Sequence, residues 1–248
     1  MADYRTNMAR AGMTATGVRA EYDEGLRAYL LKVYNYMAIA LALTGVAAFA
    51  TFNMAVSGGQ LTPFGTAIYT SALKWVVMFA PLVLVFFLAF RINSMSVGAA
   101  QATFWVYSIL VGVSLSTVFL VFTATSITQT FFITAAAFGA LSLYGYTTKR
   151  DLSAMGSFMV MGLFGLIIAM LVNLFLQSSA MQWAISVIGV MVFAGLTAWD
   201  TQKIKNMYDV VAHDETMMGR SAIMGALTLY LDFINMFMFL LQFLGNRE

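Results

Sequence analysis

The sequence lacks cysteine altogether, has one histidine and carries few charges. Without cysteine the chain cannot form disulfides or thiolate metal sites, and His213, alone in a polar loop, cannot form a histidine metal cluster. Charged residues make up only 10% of the chain, while hydrophobic residues make up 61%. Soluble domains carry roughly 25% charged residues, so this composition indicates a polytopic membrane protein.

The few charges are segregated along the chain. Residues 92–148 and 152–199 contain no Asp, Glu, Lys or Arg. Each of these stretches is long enough for two spans of about 20 residues joined by a short turn. Strands of a transmembrane β-barrel would alternate polar and apolar residues over about 10 positions. Because these stretches are continuously apolar, they predict an all-α membrane protein.

Seven transmembrane helices are predicted, with boundaries good to about 2–4 residues. A polar, cytoplasmic N-terminal tail over residues 1–27 precedes a seven-helix domain over residues 28–248. Ser108, Gly112 and Ser116 recur at every fourth position of the third span, a spacing that lets helix backbones approach closely. The predicted spans are residues 29–52, 73–91, 97–122, 128–147, 155–176, 182–206 and 221–244.

Basic residues predict the orientation of these helices. Lys and Arg concentrate in short cytoplasmic loops, and here they occur in the tail and in every second loop, whereas residues 53–72, 123–127 and 177–181 are uncharged. Lys74 and Arg247 are the exceptions on the other side. We therefore expect a cytoplasmic N-terminus and an external C-terminus. The basic residues on the cytoplasmic side are Arg5, Arg10, Arg19, Arg27, Lys32, Arg91, Lys149, Arg150, Lys203, Lys205 and Arg220.

Two aspartates lie inside otherwise uncharged membrane-length helices. Asp200 falls late in the sixth span, and Asp232 lies about 11 residues, or roughly 16 Å, into the seventh. A carboxylate in hydrocarbon costs about 3 kcal/mol on insertion scales, so such residues are functional-site candidates that face the bundle interior. Thr228 and Asn235 share the helix face of Asp232, at i−4 and i+3, and predict a polar stripe there.

Two buried carboxylates in contact cannot both ionise cheaply, so we expect Asp200 and Asp232, if they meet, to share a proton and titrate as a unit. Arg91, at the end of the second span, is the best available counter-charge. Plainer interpretations remain open at this point. Asp200 could snorkel to the interface beside Lys203, Asp232 could be a structural hydrogen-bonding acid, and Arg91 could simply anchor the helix end.

Four segments, in this order, resemble the bacterial branch of the Bax inhibitor family, also called the transmembrane BAX-inhibitor-motif family. The resemblance covers nearly the whole chain after about residue 25. The segments are Gly112-Val113-Ser114-Leu115-Ser116, Tyr146-Thr147-Thr148-Lys149-Arg150-Asp151-Leu152-Ser153, Trp199-Asp200-Thr201-Gln202-Lys203-Ile204 and Ala226-Leu227-Thr228-Leu229-Tyr230-Leu231-Asp232-Phe233-Ile234-Asn235.

The resemblance implies seven helices with the last one central and wrapped by the other six. Prokaryotic relatives are described as pH-sensitive calcium leak proteins, in which paired acids matching Asp200 and Asp232 form a pH sensor. An arginine matching Arg91 is tethered to that pair. Some relatives have a further acid earlier on the second helix, but residues 78–81 contain none here, and Pro81 predicts a kink instead. Another bacterial branch modulates a membrane-bound AAA protease.

Our first hypothesis is therefore a pH-sensitive calcium, or cation, leak channel of the bacterial inner membrane. Asp200 and Asp232 would form the gate and bind calcium transiently, since calcium prefers oxygen ligands. No cofactor and no nucleic-acid partner are expected; the partners are the lipid bilayer and calcium ions. The alternative is a non-transporting regulator that binds a membrane protease, whose function deletion of residues 1–20 should abolish while sparing a leak.

Enzyme function is not expected. Intramembrane aspartyl proteases also carry two aspartates in adjacent spans, but Leu231 and Phe233 replace the glycine-rich context that those enzymes have around the second acid. A retinal protein is excluded because the seventh span contains no lysine that could form a Schiff base.

Overall fold

The computed structural model describes the backbone of residues 2–246 and the side chains of residues 22–246. Long helices dominate this part of the chain, with two 3₁₀ turns at Ile92–Ser94 and Ser116–Leu120. The elements are α1 (Ala2–Ala55), β1 (Val56–Ser57), β2 (Gln60–Leu61), α2 (Pro63–Tyr69), α3 (Leu73–Arg91), α4 (Val97–Leu115), α5 (Ala124–Thr147), α6 (Ser153–Leu176), α7 (Ser179–Val211) and α8 (Glu215–Leu244).

Among the described residues, seven helices are long and apolar enough to cross a membrane, which confirms the predicted all-α membrane fold. The first helix and the last two extend well beyond the predicted spans. Helix α7 has 33 residues, or about 50 Å at 1.5 Å per residue, whereas the hydrocarbon layer is about 30 Å thick. The polar stretch after Asp200 therefore continues the helix out of the membrane, and only residues 212–214 connect it to α8.

Residues 56–69 contain structure that the sequence did not predict. Strands β1 and β2 form a small antiparallel hairpin, whose turn uses Gly58 and Gly59 at φ values of 59° and 75°. Glycine adopts such angles without strain because it has no Cβ atom. Thr62 then caps the short helix α2 by accepting a hydrogen bond from the Gly65 amide at 3.1 Å, and Pro63 occupies the first helical turn, where its missing N–H is harmless.

The last helix is the core of the bundle. In the most apolar 18-residue stretch of α8, 67% of the residues are buried, against 11–39% in the other six spans. Its main neighbours are α7, α1, α5 and α4, while α3 packs on α4 and α6 packs on α7. The prediction of a central last helix is confirmed, with α3 and α6 as the most lipid-exposed members of the wrapping layer.

The small-residue seam of the third span packs as its spacing predicts. A methyl group placed on Gly112 would lie 2.4 Å from the Thr44 carbonyl oxygen, so α4 and α1 touch backbone to backbone here. Ser108, one turn earlier, is completely buried. Close approach of backbones is the usual basis of helix association in membranes, where no hydrophobic force drives it.

The loops that follow α3, α5 and α7 lie at the end of the bundle where the predicted basic side is; we call this the basic end and the other the opposite end. Helix α1 runs without a break from the predicted tail into the first span. The side chains of Arg5, Arg10 and Arg19, and the whole of Arg247, lie outside the described residues. The boundary at residue 27 and the membrane orientation therefore stay predictions.

Candidate functional site

Asp200 and Asp232 meet between α7 and α8. The Asp200 side chain is 6% exposed and that of Asp232 is 4% exposed, and their carboxyl groups lie within hydrogen-bonding reach of each other. A carboxylate only accepts hydrogen bonds, so this contact requires one of the two groups to carry a proton. Spacing alone could not establish this contact; the packing of α7 along α8 creates it.

The surroundings of Asp232 offer little compensation for a charge. Its Oδ2 atom is buried and has no hydrogen-bond partner among the described residues. An uncompensated buried charge is expensive. The neutral, proton-sharing pair is therefore the state that suits this packing, and removal of the shared proton would place two like charges side by side in a low-dielectric interior.

A small pocket of about 150 Å³ connects this region to the basic end. Asp200 and Thr228 line it, together with Ser221 and the side chain of Lys203, which is exposed. Toward the opposite end, α8 is sealed by packed apolar residues, among them Met236 and Leu241, which are 1% and 0% exposed. Asp200 thus lines the pocket on the side of the basic end, while Asp232, which does not line it, lies behind Asp200.

Arg91, the predicted counter-charge, is exposed at the end of α3. No ion pair or hydrogen bond of its guanidinium with either aspartate is present among the described residues, so its role as a tether stays a prediction. Lys203 is the basic residue that lines the pocket together with Asp200. Its ammonium also lies 5.1 Å from the centre of the Trp199 ring, a distance typical of a cation–π contact.

The polar stripe on α8 is only partly directed at the pair. Thr228 lines the pocket, but its hydroxyl donates to the Met224 carbonyl at 3.0 Å. The Asn235 amide likewise donates to the Leu231 carbonyl at 2.8 Å. Both side chains therefore satisfy a donor on their own helix, and Asn235 is not among the residues that line the pocket.

A chain of hydroxyl groups, which sequence reasoning missed, approaches the pair from the side. Ser142 on α5 lies 3.0 Å from the Thr201 hydroxyl, next to Asp200, and also hydrogen-bonds the Tyr34 hydroxyl on α1. Gly145, nearly one turn after Ser142 on α5, allows this close approach of α5 and α7, because a methyl group there would lie 2.1 Å from the Ala198 carbonyl oxygen. Helices α1, α5 and α7 are thereby joined at the level of Asp200.

A family model described as "Inhibitor of apoptosis-promoting Bax1" matches residues 26–248. The chain belongs to this Bax inhibitor family. Full-length relatives support the assignment, and each is similar to the chain over nearly all of both sequences. They are the uncharacterized protein RP147 of Rickettsia prowazekii, 52% identical over 95% of this chain and 97% of its own length, the inner membrane protein YbhL of Escherichia coli, 46% identical over 90% and 94%, and an uncharacterized protein of Caulobacter vibrioides, 42% identical over 100% of both.

Two of the segments that carry the Bax inhibitor resemblance meet in the fold. Gln202, two residues after Asp200, accepts a hydrogen bond from the Leu152 amide at 2.9 Å and donates to the Arg150 carbonyl at 2.8 Å. Lys205 donates to the Tyr146 carbonyl at 2.8 Å. The polar end of α7 thus binds the α5–α6 loop and fixes the helix that carries Asp200.

The α5–α6 loop contains a carboxylate, that of Asp151, which is held by hydrogen bonds outside the membrane. The Ser153 amide donates to Asp151 at 2.9 Å, and hydrogen bonds from Ser153 lower the pKa of the Asp151 carboxyl. Asp151 therefore stays ionised over the pH range in which a buried pair would titrate, which makes it a poor candidate for pH sensing.

As a calcium ligand set, the pair is sparse. Calcium takes 6–8 oxygen ligands, and no group of three or more His, Cys, Asp or Glu side chains is clustered among the described residues. Two carboxylates with a few neighbouring hydroxyl and carbonyl oxygens fit a weak, transient contact with a passing ion rather than a storage site.

Proposed function

We propose that this Bax inhibitor family protein is a passive, pH-gated leak pathway for calcium or similar cations in a bacterial inner membrane. The observation that carries the proposal is the contact between two buried carboxyl groups, one of which, that of Asp200, lines a pocket at the basic end. The E. coli relative is named an inner membrane protein, and the positive-inside rule assigns the basic end to the cytoplasm.

The gate follows from the chemistry of the pair. While Asp200 and Asp232 share a proton, their hydrogen bond holds α7 against α8. Loss of the proton leaves two like charges, whose repulsion in a low-dielectric interior favours separation of the two helices. Separation exposes carboxylate oxygens to the pocket, and these are the ligands that calcium prefers. Flux should therefore rise as the pH rises through the titration range of the pair.

The sparse ligand set supports a leak more than a calcium store. Conduction requires binding that is favourable enough for entry and weak enough for release. Two carboxylates attract a cation by their charge. Because no third acid is clustered with them among the described residues, the cation would be bound only weakly. Apolar packing of α8 beyond Asp232 holds the path closed while the pair is protonated.

Calcium-dye flux into liposomes that contain the purified protein, scanned from about pH 5 to 8, tests the proposal. Wild type should leak increasingly toward the alkaline side, and Asp200→Asn and Asp232→Asn should each flatten the curve, because an amide cannot lose a proton in this range. Asp209→Asn, on the exposed part of the same α7 helix, is the matched control. Flux no higher than that of empty liposomes at every pH, or an unchanged curve for Asp232→Asn, would refute the proposal.

A further inference from the structure

A second concavity at the basic end lies between α1 and α5, away from the aspartate pocket. This α1–α5 groove has a volume of about 490 Å³. It is open on its outer side, since Leu31 and Leu143 on its rim are 51% and 61% exposed. Its walls are formed mainly by Leu30, Leu31, Tyr34, Phe138, Gly139 and Leu143.

The groove is open beside Gly139 and is not filled there by a packed neighbouring helix. A methyl group placed on Gly139 would meet no atom within 4 Å, in contrast to Gly112 and Gly145, where neighbouring backbone blocks it. From Phe138 to Tyr146 the groove follows α5 for about 12 Å. A partner helix would have to cross about 30 Å of hydrocarbon, so the groove fits part of a flexible chain better than a spanning helix.

The mouth of the groove at the basic end is positively charged. Arg27 lines it, and the Lys205 ammonium lies 5.1 Å from the Tyr146 ring centre at the same mouth. Lys149 and Arg150 lie in the loop just beyond this end of α5, followed by Asp151, and no acidic residue lines the groove. Glu24 precedes Arg27 by nearly one turn, farther from the membrane. Apolar walls beneath a cationic mouth match the two halves of a lipid molecule whose headgroup is anionic.

We propose that the α1–α5 groove binds an anionic phospholipid of the leaflet at the basic end. One acyl chain lies along Leu30, Phe138 and Gly139, and the phosphate is held at the mouth by Arg27 and Lys205. Arginine suits this role because its guanidinium binds phosphate in a bidentate manner. Basic residues next to a membrane-spanning helix attract anionic lipids.

The inner wall of the groove is also the start of the hydroxyl chain that ends at Thr201, the residue after Asp200. Tyr34 and Ser142 line the groove, and Ser142 lies 3.0 Å from Thr201. A bound acyl chain would therefore contact Ser142, which is one hydrogen bond from Thr201, and Tyr34, which is two hydrogen bonds from it. Thr201 follows Asp200 directly in the chain. The lipid site itself does not depend on the proposed leak function and can be tested without any flux measurement.

The test is native mass spectrometry of the full chain in detergent, titrated with phosphatidylglycerol or with phosphatidylcholine of the same acyl chains. We expect phosphatidylglycerol to be retained preferentially. Gly139→Phe should fill the groove and reduce retention of both lipids, whereas Gly165→Phe, at an exposed glycine on α6 that also has nothing within 4 Å, should leave retention unchanged. Arg27→Gln should weaken phosphatidylglycerol binding about fivefold, and Lys32→Gln on the same helix should not.

Each opposite result would overturn the proposal. Equal retention of the two lipids by wild type would show that the anionic headgroup is not recognised. Unchanged retention in Gly139→Phe would show that the lipid binds outside the groove. Because Arg27 is exposed and its replacement disturbs no packing, Arg27→Gln remains informative even if Gly139→Phe does not fold. A wild-type dimer that retains no lipid and dissociates in Gly139→Phe would identify the groove as a contact between copies of the chain instead.

Discussion

The Tyr230 hydroxyl on α8 lies 2.7 Å from the Thr44 hydroxyl on α1. Thr44 in turn lies 2.9 Å from the Ser108 carbonyl oxygen on α4, so one buried pair of hydroxyls connects three helices. Tyr230 is completely buried, and its ring meets Phe104 and Tyr107 edge-on, each at 5.8 Å between centroids. Two residues before Asp232, this contact fixes α8 on the side away from α7.

Tyr230→Phe should therefore lower the stability of the bundle without removing the ring contacts. Hydrogen bonds between membrane helices contribute about 0.6 kcal/mol on average and up to roughly 1.7 kcal/mol. Thermal unfolding in detergent should show a lower Tm for Tyr230→Phe than for wild type. Tyr144→Phe, on the exposed surface of α5, is the control; equal Tm values for the two variants would mean that the Tyr230 hydroxyl contributes nothing.

The sequence predicts the aspartate pair because a carboxylate in hydrocarbon is costly enough to stand out. It cannot predict the hydroxyl chain, since each hydroxyl can satisfy itself locally. Thr201 donates to the Thr197 carbonyl of its own helix at 2.8 Å, and only the packing of α5 on α7 places Ser142 within reach. Hydroxyls that bond across helices and hydroxyls that bond back along one helix look the same in a sequence.

The same limit explains the other differences. The seven spans follow from apolar length, but the hairpin at Gly58 and Gly59 has strands of only two residues, too short for an alternating pattern. The relative positions of basic residues around Asp200 depend on helix register and side-chain direction. The sequence therefore predicts Arg91 as the counter-charge. In the structure the basic residue that lines the same pocket as Asp200 is Lys203, one turn further along the same helix.

Gly145→Ala should separate α5 from α7. The added methyl group would lie 2.1 Å from the Ala198 carbonyl oxygen, and backbone cannot move aside as a side chain can. Overpacking of this kind costs about 1–3 kcal/mol, which should appear as a lower Tm. Gly139→Ala on the same helix has free space and should be neutral or slightly stabilising, because alanine favours helix by up to about 1 kcal/mol over glycine. Similar Tm values for both variants would contradict the close contact.

Lys203→Gln should move the flux–pH curve toward the alkaline side. Lys203 and Asp200 line the same pocket, and a nearby positive charge favours the ionised form of a carboxyl group. Without that charge, a higher pH is needed to remove the shared proton and open the path. Liposome flux measured across the pH range should show a shifted midpoint with the same maximum. Lys32→Gln removes an equal charge elsewhere and should not shift it; a parallel shift in both variants would indicate a general surface-charge effect.

The absence of cysteine makes the predicted orientation directly measurable. Ser57→Cys introduces a thiol in the exposed hairpin between α1 and α2, and His213→Cys introduces one in the exposed α7–α8 loop at the basic end. A membrane-impermeant maleimide should label Ser57→Cys in intact cells, but His213→Cys only after the membrane is permeabilised, because basic loops stay in the cytoplasm. The unsubstituted chain has no thiol to react and provides the background. The reverse labelling pattern would place the mouth of the aspartate pocket outside the cell, and the proposed gate would then sense external rather than cytoplasmic pH.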